Sequence, residues 1–112
     1  MITLVIILNE QQYLDEVLAT LVEFKVRGAT ILDSQGMGGA IVSGGFRNIP
    51  LFGSLRHLIN EKHPYNKTIF SVVNESIIED LVKALKDLFK EKRPGVGFMF
   101  TMPVNNIYLL DK

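Results

Sequence analysis

One short stretch of this chain occurs twice in nearly the same form. Asn9–Leu18 reads NEQQYLDEVL, and Asn74–Val82 reads NESIIEDLV, with one residue fewer. Each copy follows an apolar run and precedes a glycine and a second apolar run, which is the pattern of a strand, a helix and a strand. Two such units in 112 residues predict a single domain over residues 1–112, because domains commonly hold about 100–150 residues.

The first unit begins with the apolar run Ile2–Leu8, whose β-branched residues are typical of an inner strand. Asn9 is predicted to cap the helix that follows, because an asparagine side chain accepts hydrogen bonds from the first free amides of a helix. Gly28 is predicted to end that helix, and Ala29–Leu32 to begin the second strand.

The second unit begins with a strand at Thr68–Val73, and either Asn74 or Ser76 is expected to cap its helix. Val96–Met102 is predicted as the last strand of this unit, and Ile107–Leu110 as a short edge strand. Two right-handed strand–helix–strand units in one small domain most simply form a four-stranded antiparallel sheet with both helices on one face. The predicted fold class is therefore α+β and ferredoxin-like.

The predicted sheet carries more apolar side chains than two helices can cover. The residues that illustrate this excess are Leu4, Ile6, Leu8, Ile69 and Val73. A bare apolar face of that extent usually marks an interface. We therefore expect an oligomer closed by contact between sheets.

Composition excludes several classes of function. The chain has no cysteine, which excludes disulfides, thiolate metal ligands and cysteine nucleophiles. Its formal net charge is zero, so no field of the whole molecule attracts nucleic acid, and none is expected as a partner. The apolar run at the amino terminus is too short to span a bilayer and lacks the basic flank of a signal peptide, so a soluble cytoplasmic protein is expected.

The stretch between the two copies departs from the repeat, and we expect function to lie there. It is predicted as a long inserted loop over residues 36–67 that contains a short helix. Gly36, Gly38 and Gly39 open this loop. Such glycines either only turn the chain or let successive backbone amides converge on an anion.

A second glycine cluster lies near the carboxyl end of the chain. Gly95 and Gly97 follow the basic pair Lys92 and Arg93. In a ferredoxin-like layout, the ends of the second and fourth strands lie near each other or meet across a subunit boundary. Two glycine turns that face one cleft indicate a ligand site more strongly than either turn alone.

No catalytic or metal-binding residues are predicted, and we do not expect an enzyme. His57 and His63 are six positions apart, a spacing that does not place both on one helix face as metal ligands. The serines lack a recognisable base or nucleophile-elbow context. A small enzyme that uses a cleft between subunits stays an alternative, but it needs a base that the sequence does not identify.

Two motifs bear on the family. Gly28–Gly38 reads GATILDSQGMG, and Gly95–Val104 reads GVGFMFTMPV. Together with the doubled strand–helix–strand order, they resemble the PII-like nitrogen-regulatory signalling proteins over nearly the whole chain. The resemblance implies homotrimers of ferredoxin-like subunits that bind ATP or ADP in clefts between subunits. It also implies a flexible loop that engages a target enzyme, transporter or regulator.

The resemblance places Thr30, Gly36 and Gly38 at the second strand and the loop base of the nucleotide cleft. It places Gly95 and Gly97 at the turn that wraps the phosphates. The chain departs from the family pattern at three points. Phe98 stands where the family has a lysine, the pair of arginines near the carboxyl end is absent, and an apolar helix replaces the tyrosine-bearing hairpin tip of the loop.

The predicted function is a regulatory protein that senses a small ligand, with an adenine nucleotide as the candidate, and signals to a protein partner through its central loop. The predicted ligand-binding residues are Thr30, Gly36, Met37, Gly38, Gly39, Arg93, Gly95 and Gly97. The predicted partner-binding residues are Phe46, Arg47, Phe52, Leu55 and Arg56. The alternative, which the missing basic residues favour, is a ligand-free trimeric interaction or scaffold module.

Overall fold

The computed structural model describes residues 1–37 and 65–111. Within these ranges the order of elements is strand, helix, strand, and then strand, helix, strand, as predicted. The strands are β1 (Ile2–Leu8), β2 (Thr30–Gln35), β3 (Tyr65–Val73) and β4 (Gly97–Pro103). The α-helices are α1 (Leu14–Glu23) and α2 (Glu75–Phe89), and a 3₁₀ helix (Gln11–Tyr13) precedes α1.

The four strands form one antiparallel sheet in the order β2-β3-β1-β4. β1 is central, so Ile6 lies opposite Ile69 of β3 on one side and Met99 of β4 on the other. β2 pairs with β3 at one edge, and β4 forms the other edge. This topology confirms the predicted ferredoxin-like α+β fold.

The core lies between the two helices and one face of the sheet. Its buried side chains are Leu4, Ile6, Leu8, Val17, Leu21, Ile69, Val73, Leu81, Leu85 and Val96. The five strand residues that were predicted to exceed what two helices can cover are all in this core. Their use as evidence for a bare face was wrong. Side chains alternate between the two faces along a strand, and these five all point to the face on which α1 and α2 pack.

The opposite face of the sheet, here called the open face, carries the apolar excess instead. Thr3, Val5 and Ile7 of β1 alternate with the core residues and therefore point to this side. The register places on the same face the apolar residues Leu32, Phe70, Val72, Phe98, Phe100 and Met102. Most of them are exposed. The open face was thus predicted, and its contact with sister copies stays a prediction.

The helix ends differ in part from the sequence prediction. Asn9 does not cap a helix, because the chain first forms the 3₁₀ turn and α1 begins only at Leu14. Asn74 caps α2, since its Oδ1 accepts a hydrogen bond from the backbone amide of Ser76 at 2.9 Å. α1 ends at Glu23, well before Gly28, and Lys25, two residues further on, has a left-handed backbone with φ +61°.

Two boundaries near the predicted loop and the carboxyl end also differ. β3 begins at Tyr65, so the last residues of the stretch 36–67 belong to the sheet and not to the inserted loop. Pairing with β2 explains this extension, because Tyr65 lies opposite Gln35 at the end of the ladder. Ile107–Leu110 does not form the predicted edge strand, and its side chains are exposed.

Candidate functional site

Two asparagines connect the two glycine-containing segments at one end of the sheet. Asn9 directly follows β1, and Asn66 is the second residue of β3. Asn66 Nδ2 donates to Asn9 Oδ1 at 3.4 Å, and Asn9 Nδ2 donates to the carbonyl oxygen of Gly95 at 3.1 Å. Gly36 lies on the other side of this pair, since a Cβ there would be 3.7 Å from Asn66 Nδ2. The asparagine pair therefore bridges the end of β2 and the turn before β4.

Hydroxyl groups on the open face extend this bridge. Ser34 Oγ donates to Asn66 Oδ1 and lies 2.7 Å from Thr68 Oγ1. Asn66 is only 8% exposed. Its side-chain oxygen accepts a hydrogen bond from Ser34, and its side-chain nitrogen donates one to Asn9. The result is a chain of neutral hydrogen bonds from β2 to Gly95. Such a chain fixes the orientation of its amides because each donor and acceptor has a partner.

A polar cleft of about 560 Å³ lies beside the asparagine pair, at the ends of β2 and β3. Its lining residues are Gln11, Asp33, Ser34, Gln35, Tyr65, Asn66 and Lys67. Lys67 forms an ion pair with Asp33 across the two strands. The cleft therefore presents amides, hydroxyls and a charge pair that is already neutralised.

The turn Gly95–Gly97 is attached to the end of β1. Val96 is buried, and its carbonyl oxygen accepts hydrogen bonds from the amides of Asn9 at 2.8 Å and Glu10 at 3.4 Å. Gly95 has φ +91°, a conformation that residues with a Cβ rarely adopt. At Gly97 a Cβ would lie 2.1 Å from the carbonyl oxygen of Ile7, so only glycine allows β4 to approach β1 here.

The basic residues before this turn already have partners. Arg93 Nη2 lies 3.0 Å from Glu10 Oε1; the Glu10 side chain is 6% exposed, whereas that of Arg93 is 67% exposed. Lys92 Nζ lies 5.1 Å above the centroid of the Tyr13 ring. Both cations thus contact the segment between β1 and α1, which lies against the turn.

A larger groove of about 700 Å³ opens between α2 and β4. It is lined by core residues such as Leu85 and Val96, together with Lys86, Lys90 and the start of β4. Gly97 borders this groove, whereas the polar cleft lies on the side of β2 and β3. The two concavities are separate within one copy of the chain.

The structure brings some of the predicted ligand residues together and separates others. Gly36 and Gly95 lie on either side of the asparagine pair, and Met37 is exposed beside Gly36. Thr30 is exposed at the start of β2, six residues and therefore about 20 Å from Gly36 along the strand. The predicted residues outside the described ranges are Gly38, Gly39, Phe46, Arg47, Phe52, Leu55 and Arg56.

The sequence prediction missed Asn9, Asn66, Ser34 and Glu10 as site residues. Asn9 was interpreted as a helix cap, and Asn66 was placed in the loop. Asn9 and Asn66 meet only because β1 and β3 pair in a register that continues past Leu8 and Lys67. No local pattern in the sequence reports that register.

Two further findings apply to residues 1–37 and 65–111. In these ranges no group of three or more His, Cys, Asp or Glu side chains is arranged to hold a metal ion. Both histidines lie outside them. No helix within the same ranges has the length and apolar character needed to cross a membrane.

Comparison with known families agrees with this architecture. The family model described as nitrogen regulatory protein P-II matches residues 2–111. The chain therefore belongs to the P-II family, as the resemblance of its motifs predicted. The family is regulatory and acts in signal transduction, and it is not a family of enzymes. No curated protein matches the chain.

Proposed function

We propose that this protein is a cytoplasmic sensor that binds a small ligand between copies of a homotrimer and signals to a protein partner through the segment that joins β2 and β3. The ligand would lie where the Gly36 end of β2 and the Gly95 turn of neighbouring copies face each other. An adenine nucleotide or nucleoside is the first candidate. Membership of the P-II family supports the regulatory role.

The observation that carries the proposal is the asparagine bridge. Asn66 lies at the base of the connecting segment, and Asn9 holds the carbonyl oxygen of Gly95. The two hydrogen bonds run from Asn66, which lies beside Gly36, through Asn9 to Gly95, and the proposal is that they couple a ligand contact at one glycine to the other. Signalling follows if the ligand binds one state of the connecting segment more tightly than the other, since only differential affinity shifts a population.

The open face supports assembly of several copies. Its exposed side chains include Leu32, Val72, Phe98, Phe100 and Met102 on three strands. Contact between three such faces would bury this apolar surface, and burial contributes about 25 cal/mol for each Å² removed from water. It would also bring the β2 edge of one copy towards the β4 edge of the next.

The test is a screen for ligands that raise the melting temperature of the full chain. The screen includes adenosine and its phosphates, cyclic nucleotides, 2-oxoglutarate and bicarbonate. We expect at least one of them to stabilise the protein, because a ligand that binds only the folded state raises its stability. If none does, the sensor role is wrong.

A pair of variants tests whether the asparagine bridge belongs to the site. Asn9→Ala removes the hydrogen bonds to Gly95 and Asn66, and each such bond contributes about 0.5–1.5 kcal/mol. We expect the ligand identified in the screen to bind about tenfold more weakly to this variant in calorimetry. Asn105→Ala is the control, because Asn105 is exposed beyond β4. Equal affinities of the two variants would contradict a role for the bridge in binding.

The second candidate is a trimeric scaffold that binds no ligand. Two observations favour it: Arg93 already pairs with Glu10, and Phe98 places an exposed ring directly after the turn. Calorimetry with ATP on the native chain and on Arg93→Ala separates the candidates. A scaffold predicts no heat of binding in either protein, whereas a nucleotide sensor that uses Arg93 predicts binding that the variant weakens.

A further inference from the structure

We propose that the groove between α2 and β4 binds a free fatty acid, with the acyl chain along α2 and the carboxylate beside Lys86 and Lys90. This site goes beyond the proposed function, because it takes a different class of ligand on the other side of the sheet. The groove is bounded by α2 and therefore lies on the helix side. Assembly of copies through the open face leaves it accessible.

The groove exists because β4 carries little bulk on its helix side. Side chains alternate along this strand, and its two phenylalanines point to the open face. Among the residues that point towards the helices, only Met99 has a large apolar side chain. These residues are Gly97, Met99, Thr101 and Pro103. The space between α2 and β4 is therefore not filled, and core residues such as Val17 and Leu85 line it.

The groove continues along α2 as a smaller space of about 350 Å³, which shares Val82 and Met99 with the larger one. One wall is a row of α2 residues four positions apart, which lie one above the other on a helix. The row consists of Ile78, Val82, Lys86 and Lys90. It is about 18 Å long, at a rise of 1.5 Å per residue. Its first half is apolar and its second half is basic.

The two ends of the groove differ in charge. Lys86 and Lys90 line the larger space, and neither side chain forms an ion pair within residues 1–37 and 65–111. Asp87 lines the same space, so positive charge exceeds negative charge there. Glu79 lines the smaller space. A ligand with one anionic end is therefore favoured with that end beside the lysines and disfavoured in the reverse orientation.

Between these charged residues the lining side chains are apolar, apart from Thr101. A peptide would bring its backbone amides into this surface, and burying them without partners is costly. An acyl chain has no polar group to satisfy. Sites for small molecules commonly enclose about 300–1,000 Å³, with mostly apolar walls and a few polar groups that fix the orientation. A single acyl chain with a carboxylate matches both parts of the groove.

Calorimetry on the full-length chain tests three soluble amphiphiles below the concentrations at which they form micelles. The three are decanoate, octanoate and decyltrimethylammonium. Decanoate should bind. Octanoate should bind about tenfold more weakly, because it buries two methylene groups fewer. Decyltrimethylammonium has the same chain length and the opposite charge, and it should bind about fivefold more weakly, the upper end of the effect of an exposed ion pair.

Lys86→Gln tests the basic end of the groove. Its matched control is Lys83→Gln, which removes the same charge from an exposed position of α2 that does not line the groove. Lys86→Gln should lower the affinity for decanoate relative to decyltrimethylammonium by about threefold. Lys83→Gln should leave that ratio unchanged. Partial unfolding would lower both affinities together, so the ratio reports the charge alone.

Thr101→Trp tests the apolar end. Thr101 is exposed on β4, so a larger side chain should be accommodated there, and the indole ring would occupy the smaller space. We expect the affinity for decanoate to fall at least tenfold. Thr101→Val is the control, because it keeps a side chain of similar size, and it should bind decanoate like the native chain.

Several results would overturn the inference. Absence of decanoate binding by the native chain is one, and equal affinities for decanoate and decyltrimethylammonium or an unchanged affinity in Thr101→Trp are others. Binding to phosphatidylglycerol vesicles without binding of the free acid would assign the groove to a membrane surface instead. Decanoate binding that appears only in Leu110→Ser would assign it to the exposed tail of a second copy. None of these results bears on the sensor role, which the nucleotide screen tests separately.

Discussion

Gly97 is the residue at which the main chain of β4 passes closest to β1. Its neighbours across the strand pair are the carbonyl group of Ile7 and the Cα of Leu8, and both leave no room for a Cβ. Gly97 was predicted from the sequence as a ligand residue. The close approach of the two strands is sufficient to require glycine here, whatever the ligand.

Replacing Gly97 by alanine tests this steric requirement. The new Cβ would clash with backbone atoms that cannot move aside like a flexible side chain. We expect Gly97→Ala to lower the free energy of unfolding by about 3 kcal/mol, the upper part of the range for overpacked sites. Urea denaturation followed by circular dichroism measures this change.

Gly28→Ala is the matched control for that measurement. No atom lies within 4 Å of a Cβ at Gly28, and its φ is not positive. The substitution should leave the stability within about 1 kcal/mol of the native value, with a gain expected because alanine restricts the unfolded chain. Similar losses in both variants would show that the close approach at Gly97 is not the cause.

At the scale of elements, the end of α1 departs most clearly from the sequence prediction. The amide of Lys25 donates to Val22 at 2.9 Å, and the amide of Val26 donates to Leu21 at 3.0 Å. These two bonds, together with the left-handed backbone of Lys25, form a Schellman motif. The left-handed position of this motif is usually occupied by glycine. Gly28 was the expected terminator, but the hydrogen bonds close three residues earlier.

The lysine in this motif predicts a stabilising substitution. A left-handed conformation costs an ordinary residue about 1–2 kcal/mol, and glycine avoids that penalty. Lys25→Gly should therefore raise the free energy of unfolding. The expected gain is only about 1 kcal/mol, because the greater freedom of glycine in the unfolded chain offsets part of it. Thermal and urea denaturation measure the gain.

Lys25→Ala provides the comparison, because it removes the same side chain and keeps the Cβ. Its stability should stay close to that of the native chain. If alanine and glycine have the same effect at this position, the left-handed backbone is not the source of the gain.

At the scale of the whole molecule, the two faces of the sheet have different roles. One face forms the core with α1 and α2, and the open face keeps exposed phenylalanine, leucine and methionine side chains. A single copy leaves this surface in contact with water, which is uncommon for a stable monomer. The proposed trimer would cover it.

Light scattering on the native chain and on Phe100→Glu tests that assembly. The native protein should have the mass of a trimer at micromolar concentration. Phe100→Glu places a charge among the exposed apolar side chains that β4 contributes to the open face, and it should produce smaller species because burying an unpaired carboxylate is unfavourable.

The control is Val22→Glu, which adds the same charge at an apolar residue of α1 that is exposed away from the open face. It should keep the native mass. A native protein that is monomeric at this concentration would contradict the assembly and the site between copies.

The sequence by itself determined the order of elements and the fold class. Runs of apolar residues, helical spacing and the doubled motif are local patterns, and they were sufficient to predict two strand–helix–strand units with an open apolar face. Local patterns also singled out Gly36 and Gly95 as candidate site residues. Asn74 could be identified as one of two candidate caps, because capping depends on the nearest few residues.

Only the tertiary structure decided which residues meet. The pairing of β1 with β3 and β4 sets the register, and the register brings Asn9 to Asn66 and Gly97 to the backbone of Ile7. The same packing joins Glu10 to Arg93, which are 83 positions apart in the chain. Strand register depends on the burial of a whole face and not on any one segment. For that reason the chain's motifs predicted candidate site residues, and the three-dimensional contacts determined which of the charged side chains near them are paired.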